Sequence, residues 1–306
     1  MSEPNIHSAR RLEILRAHPE LSRLFGASPW TLLFAAALVG CQLMLAWGVK
    51  DEPWWVAVLL AFGFGAFIIH GLNCVIHECT HNLVFQGSAP NKAVAIFATL
   101  PALVPAASGF RHYHLLHHRA FGIRGLDADV PPQWEIDLVG RSWWRKLVWL
   151  LVLPLGYTVF RPFFSVRDRM PVDRWFIANL LLIALMWVLV VWAWGWTAAF
   201  YLLLSAYLSV GPHPAGAHIL QEHIAFNGGD GHASYYGSIN WISVNLGYHL
   251  EHHDLPHVAG WRLPAIRKWA PQFYGGHYIH RSRALGLLRF VFDPRIGLDC
   301  RMMRDA

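Results

Sequence analysis

The chain has 306 residues, of which 55% are hydrophobic and only 14% charged, with 16 Trp and 18 Phe; a soluble domain carries roughly 25% charged residues. That balance excludes an ordinary soluble domain. The four scattered cysteines, Cys41, Cys74, Cys79 and Cys300, form no CxxC and exclude a disulfide framework or a Cys-rich metal site. The net charge of +6 needs no nucleic-acid partner, because a basic surface against anionic lipid headgroups accounts for it.

Residues 1–29 are polar and basic, without the pattern of a cleavable signal peptide, and are expected to be cytosolic. Residues 30–49 and 54–73 are uncharged apolar runs of the ~20 residues that a membrane-spanning helix needs. They predict a first hairpin within 30–73. Box one follows at His77-Glu78-Cys79-Thr80-His81. Residues 93–107 carry Pro101 and Pro105, and residues 147–160 carry Pro154. Both are short for a span and predict buried or interfacial segments of a cytosolic cap over 74–175. Box two, His114-x-x-His117-His118, lies between them. Residues 176–194 and 197–211, split by Gly195-Trp196, predict a second hairpin within 176–212. Residues 213–306 return to the cap with His218, His223 and box three, His249-x-x-His252-His253. The expectation is a single all-α integral membrane domain: four transmembrane helices in two hairpins under a cytosolic helical cap.

Two arguments agree on sidedness. With four spans, every Lys and Arg except Lys50 falls on one side, which the positive-inside rule makes cytoplasmic. The three boxes also face one compartment only if neither short segment crosses.

The boxes carry the chemistry. Spacings of three and four place imidazoles on one helix face. Neutral imidazole suits Fe, Zn, Cu and Ni, and one tetrahedral zinc takes about four ligands. The supply is about double, which points to two metal ions held by His77, His81, His114, His117, His118, His218, His223, His249, His252 and His253. Of the pair after the fourth run, His223 is favoured as ligand, with His218 close behind. Glu78, Glu222, Glu251 and Asp254, with Asp127 and Asp129, are candidates to accept the second N–H of a ligand imidazole. Box one is also H-E-x-x-H, the zinc metalloprotease pattern, but a single zinc would leave most of the clustered histidines idle. A membrane transporter is disfavoured because the boxes lie beyond the spans. His213-Pro214-Ala215-Gly216 is slightly like a haem loop but lacks a cytochrome domain around it. His7, His18, His70, His232, His257, His277 and His280 lack spacing partners and are read as ordinary polar residues, and His112 is left outside box two.

At these residues the chain resembles the membrane fatty acid desaturase/hydroxylase superfamily, and within it the sphingolipid Δ4-desaturase (dihydroceramide desaturase) family. The resemblance rests on Arg11-Leu-Glu-Ile-Leu15 with His18-Pro19-Glu20, on boxes one and two, and on Asp127-Ala128-Asp129-Val130-Pro131. It continues through Phe160-Arg161-Pro162-Phe163, His213-Pro214, His218, Glu222-His223 and Tyr235-Tyr236-Gly237 to its most specific run, Gly247-Tyr248-His249-Leu250-Glu251-His252-His253-Asp254-Leu255-Pro256. The resemblance implies two irons, O2, a lipid substrate, and a trans double bond placed between carbons 4 and 5 of a sphingoid base. The rival outcomes on the same site are hydroxylation of a lipid and desaturation of a fatty acyl chain. No fused cytochrome is visible, so electrons are expected from a separate carrier, such as cytochrome b5 or ferredoxin with its reductase. The C–H bonds concerned are unactivated and no side chain is base enough to break them, so the metal carries that chemistry.

Overall fold

A computed structural model describes residues 6–155, 166–228 and 233–304. Phe160-Arg161-Pro162-Phe163, His232 and the end of the 147–160 segment lie outside the described residues.

Helix α1 (Ile6–Ala17) leads through a 3-10 turn to α2 (Trp30–Gly48). Helix α3 (Trp54–Thr80) starts behind Pro53, contains a π-turn at Ala61–Gly65, and runs 27 residues, the first charged one being Glu78. The apolar run 54–73 thus ends two turns short of its helix, and box one sits on the last turn. Helix α8 (Arg174–Val210) starts where the Asp173 carboxylate accepts from the Trp175 and Phe176 N–H groups at 3.0 and 2.9 Å, which satisfies two of the four unpaired donors of a helix start. It is broken at Gly195 (φ 76°, ψ −176°), a conformation only glycine adopts readily. The two runs expected there meet at this break.

Helices α2, α3 and α8 are long and apolar enough to cross a membrane, and the chain is a membrane protein. Residues 93–107 are not one rod. Helix α4 (Ser88–Thr99) ends in a 3-10 turn at Pro101, Leu103 takes φ 56°, and α5 (Ala107–Arg119) leaves at 118° to the preceding segment. By length and composition this bent pair is a fourth candidate span or a re-entrant loop. After the short helix α6 (Gln133–Val139), helix α7 (Trp143–Leu155) exposes Val148, Leu151, Val152 and Leu155 along one side, as an interfacial helix does.

Small residues let the apolar helices approach. Ala46, Ala57, Ala61, Ala198 and Ala199 are buried together, and a Cβ on Gly65 would lie 2.1 Å from Ser205 Oγ. Polar cross-links add to this: Tyr201 donates to Gln42 Oε1 at 3.2 Å and Asn73 to Ser209 Oγ at 3.3 Å. The π-turn has its own partner. His213 Nδ1 accepts from the Ala215 N–H at 3.1 Å, so the proton is on Nε2, which donates to the Phe62 carbonyl at 2.9 Å. The motif with a slight likeness to a haem loop is therefore a clamp on an irregular helix.

The cap closes the other end. Helix α9 (Ala217–His223), α10 (His249–Asp254), α11 (Leu263–Trp269) and α12 (Arg283–Phe292) pack around a two-stranded parallel pair, β1 (Ala233–Tyr235) and β2 (Tyr278–His280), in register Ala233 with Tyr278. Helix α1 lies on α10 through Arg11 Nε, which donates to the Asp254 carbonyl at 2.7 Å.

Candidate metal centre

Box one ends α3, box two fills the last two turns of α5 and box three is α10 itself. The three elements converge, and α9 adds His223. All of the predicted ligands except His218 come together in two adjoining groups.

The first group is His77, His81, His114, His118 and His252, whose donor atoms lie within 4.8 Å of one another. His114 Nε2 stands 3.1 Å from His81 Nε2 and 3.0 Å from His118 Nε2, and His252 Nε2 is 3.4 Å from His118 Nε2. One ring nitrogen has one proton or one lone pair, so His114 Nε2 cannot serve two such neighbours as an ordinary hydrogen bond. A shared cation would resolve the crowding. The second group joins His117, His223 and His253, with His249 Nε2 3.0 Å from His223 Nε2. The His118 and His253 rings stack at 4.3 Å and join the groups.

The spacing explains the division. In box two the i, i+4 pair His114 and His118 enters the first group, and His117 enters the second. In box three the pair His249 and His253 enters the second group, and His252 enters the first. A turn advances by 3.6 residues, so residues three and four apart straddle the helix stripe and face different neighbours.

The donor set fits a metal on two counts. Buried nitrogens at His77 Nδ1, His117 Nε2, His252 Nδ1 and His253 Nε2 have no hydrogen-bond partner, which is costly in an interior. Burial, then the neighbouring histidines, holds His252 and His253 well below their ordinary pKa, keeping them in the neutral form that ligates.

Carboxylates stand behind the second group. Asp127 accepts from His117 Nδ1 at 2.9 and 3.0 Å and is itself braced by the Gly122 and Asp129 N–H groups. Burial alone would raise its pKa, but His117 and its other donors hold it below the usual carboxylate value. Glu222 Oε1 lies 3.2 Å from His249 Nδ1 and 2.6 Å from His218 Nε2. Burial opposes its charge, yet His218 and His249 hold it well below the ordinary range. His218 thus shares the Glu222 carboxylate with His249, and its ring packs 4.8 Å from His70, beside Cys74. There Arg283 donates to His70 Nε2 at 2.6 Å, a positive charge that disfavours a cation.

The remaining predicted carboxylates accept from other groups. Glu78 Oε2 accepts from the Gly260 N–H at 2.9 Å, and Glu251 accepts from Ser234 and Tyr236 at 2.8 and 2.5 Å. Asp254 takes His7 Nδ1 at 2.9 Å and the Arg10 guanidinium at 3.1 Å. Two buried residues at the centre were read as ordinary from spacing alone. His70 had a signal, since with Cys74 and His77 it continues the box-one face at i, i+4 and i+7. His7 had none, because its partner is 247 residues away.

A model of the family described as fatty acid desaturase matches residues 53–284, and one of sphingolipid Delta4-desaturase (DES) matches residues 1–30. A sphingolipid delta(4)-desaturase DES1-like protein of Oryza sativa is 37% identical over 98% of this chain and 90% of its own. A sphingolipid delta(4)-desaturase DES1 of Drosophila melanogaster is 36% identical over 97% of this chain and 92% of its own. A human protein named sphingolipid delta(4)-desaturase/C4-monooxygenase DES2 is 37% identical over the same shares, 97% and 92%. The chain belongs to the fatty acid desaturase family. It is an oxidoreductase of a metalloenzyme family, and the two groups are the histidine clusters of this desaturase that could hold metal.

Proposed function

We propose that this desaturase uses two irons, O2 and electrons from a separate carrier to place a trans double bond between C4 and C5 of a dihydroceramide-like sphingolipid. The observation that carries the reading is the pair of adjoining histidine groups, each with at least four imidazoles in reach. The relatives named above support the substrate class. Hydroxylation at C4 is the second outcome, favoured by the human relative's double name. The zinc protease reading has no support in the family match.

His77, His81, His114, His118 and His252 would hold one iron, and His117, His223, His249 and His253 the other. Bound iron supplies the redox chemistry with O2 that an unactivated C–H bond requires. The chain's own residues do the rest. Asp127 and Glu222 orient His117 and His249. The buried rings of His117, His223, His249 and His253 exclude water, and the packed cap would give a wall against which an alkyl chain is positioned.

The topology that suits this chemistry is a single domain of four spans in two hairpins, turning at 48–53 and at Gly195, with both termini and the cap cytoplasmic. Every Lys and Arg except Lys50 then faces the cytoplasm, where a soluble or peripheral electron donor reaches the cap. The test has two arms. Purified protein should carry about two Fe per chain rather than one Zn, and a host expressing the gene should accumulate the Δ4-unsaturated lipid. Unchanged lipids with two irons bound would overturn the substrate; one zinc would overturn the chemistry. Cysteine labelling from outside cells, in a background without native cysteines, should reach position 51 and not 137 or 168.

A further inference from the structure

The fatty acid desaturase match begins at residue 53, whereas the sphingolipid Delta4-desaturase match covers residues 1–30. The segment that marks the branch therefore lies outside the three boxes in sequence. In space its helix α1 lies on box three. Helix α1 leaves Ile6 and Leu12 exposed and buries His7, which is 2% exposed. The His7 ring leans on His253 at 4.8 Å and meets Phe121 edge-on at 5.3 Å. Phe121 in turn touches His117 and His223, each at 5.2 Å.

The seat of His7 is built. Asp254 Oδ1 accepts from His7 Nδ1 at 2.9 Å, and both Asp254 oxygens take the Arg10 guanidinium at 3.1 to 3.2 Å. Arg11 holds the Asp254 carbonyl. A buried histidine and carboxylate, with a part-buried guanidinium beside them, are a costly way to anchor a helix; well-packed apolar side chains commonly do it as well or better. An arrangement that keeps an imidazole against His253 at that cost points to a role at the centre.

We propose that His7 is a positioning residue of the metal centre: seated by Asp254, it fixes the ring of His253, and through it the second histidine group. The N-terminal helix is then part of the active site, and it ties the branch's own segment to the reacting centre. This rests on the reading of the two groups as a metal centre.

The test compares His7→Asn with His7→Ala and the parent. Asparagine places an N–H near the Nδ1 position, so it keeps the bond to Asp254 and the fold while removing the ring. His7→Asn is expected to elute as the parent does and to bind the parent's full complement of metal. The cobalt-loaded protein should show a shifted visible absorption band, and kcat should fall by about tenfold, as for loss of a group that orients a ligand, with KM nearly unchanged. A parent-like band and kcat in His7→Asn, with only His7→Ala impaired, would reduce His7 to a structural anchor and overturn the proposal. Metal loss in His7→Asn as deep as in His253→Ala would make it a ligand and also overturn it. A parent that forms neither alkene nor alcohol would defeat the functional reading, yet the cobalt band would still decide the role of His7.

Discussion

The two histidine groups differ in access and in what stands behind them. In the first, His81, His114 and His118 are half-buried, whereas His117, His223, His249 and His253 of the second are all buried. The second has Asp127 on His117 and Glu222 on His249; no carboxylate contact is described for His77, His81, His114 or His252. A carboxylate behind an imidazole raises its basicity and locks its tautomer. The second group is thus the deeper and more electron-rich pocket, and the first is the more open. Two metals bound there would not be equivalent.

The largest effect should come from removing a ligand on either side. His252→Ala and His253→Ala should each abolish turnover, by a factor of more than about a hundred, while the protein still inserts, because the apolar helices fold on lipid packing. Metal analysis should find about one of two ions missing in each case. Loss of both ions from His252→Ala alone would show one cooperative site and break the comparison.

Removing a carboxylate sharpens it further. Asp127→Asn leaves one acceptor oxygen and no charge behind His117, and should cost about 10- to 100-fold in metal affinity or activity. Glu222→Gln should fall in the same range. Titration of the second ion in each variant reads this directly, and unchanged affinity in both would remove the electrostatic distinction.

A third expectation follows from access. A chelator should strip metal in two phases, with about half released early from the half-buried first group. A single phase followed by stopped-flow absorbance would mean that the exposure difference has no kinetic consequence.

The smallest effect is expected at Glu78→Gln. The Gly260 N–H can still be accepted by the amide oxygen, so activity should stay within about threefold of the parent. Complete loss of activity with metal retained would give Glu78 a proton-transfer role and blur the line between this centre and a hydrolase.

Much of this was legible in the residues, for identifiable reasons. Spacings of three and four fix a helix face, so the convergence of the histidines of boxes one to three could be expected from local geometry. The runs 30–49 and 54–73 announced α2 and the start of α3, because twenty uncharged residues have few other uses. Which imidazole joins which group was not legible, since that depends on how α5 and α10 are turned against α3. The same holds for Glu78, Glu251 and Asp254. They neighbour ligands in sequence, but a residue next to a ligand on a helix points about 100° away from it, and each found a partner on another element. The 93–107 segment announced its breakers, Pro101 and Pro105, but not the 118° bend they produce.

Helix α3 is longer than an acyl layer is thick. Its 27 residues span about 40 Å at ~1.5 Å each, whereas the hydrocarbon is ~30 Å thick. A helix that starts at the far boundary therefore lifts its last turns about 10 Å clear of the acyl layer. His77 and His81, at the end of α3, would stand on that projecting part. A fatty chain whose reactive carbons lie deep in the bilayer must be drawn far out to reach them. A lipid oxidised at its fourth carbon would rise by only about a headgroup, and the length of α3 between Pro53 and His77 would set the depth of the reaction.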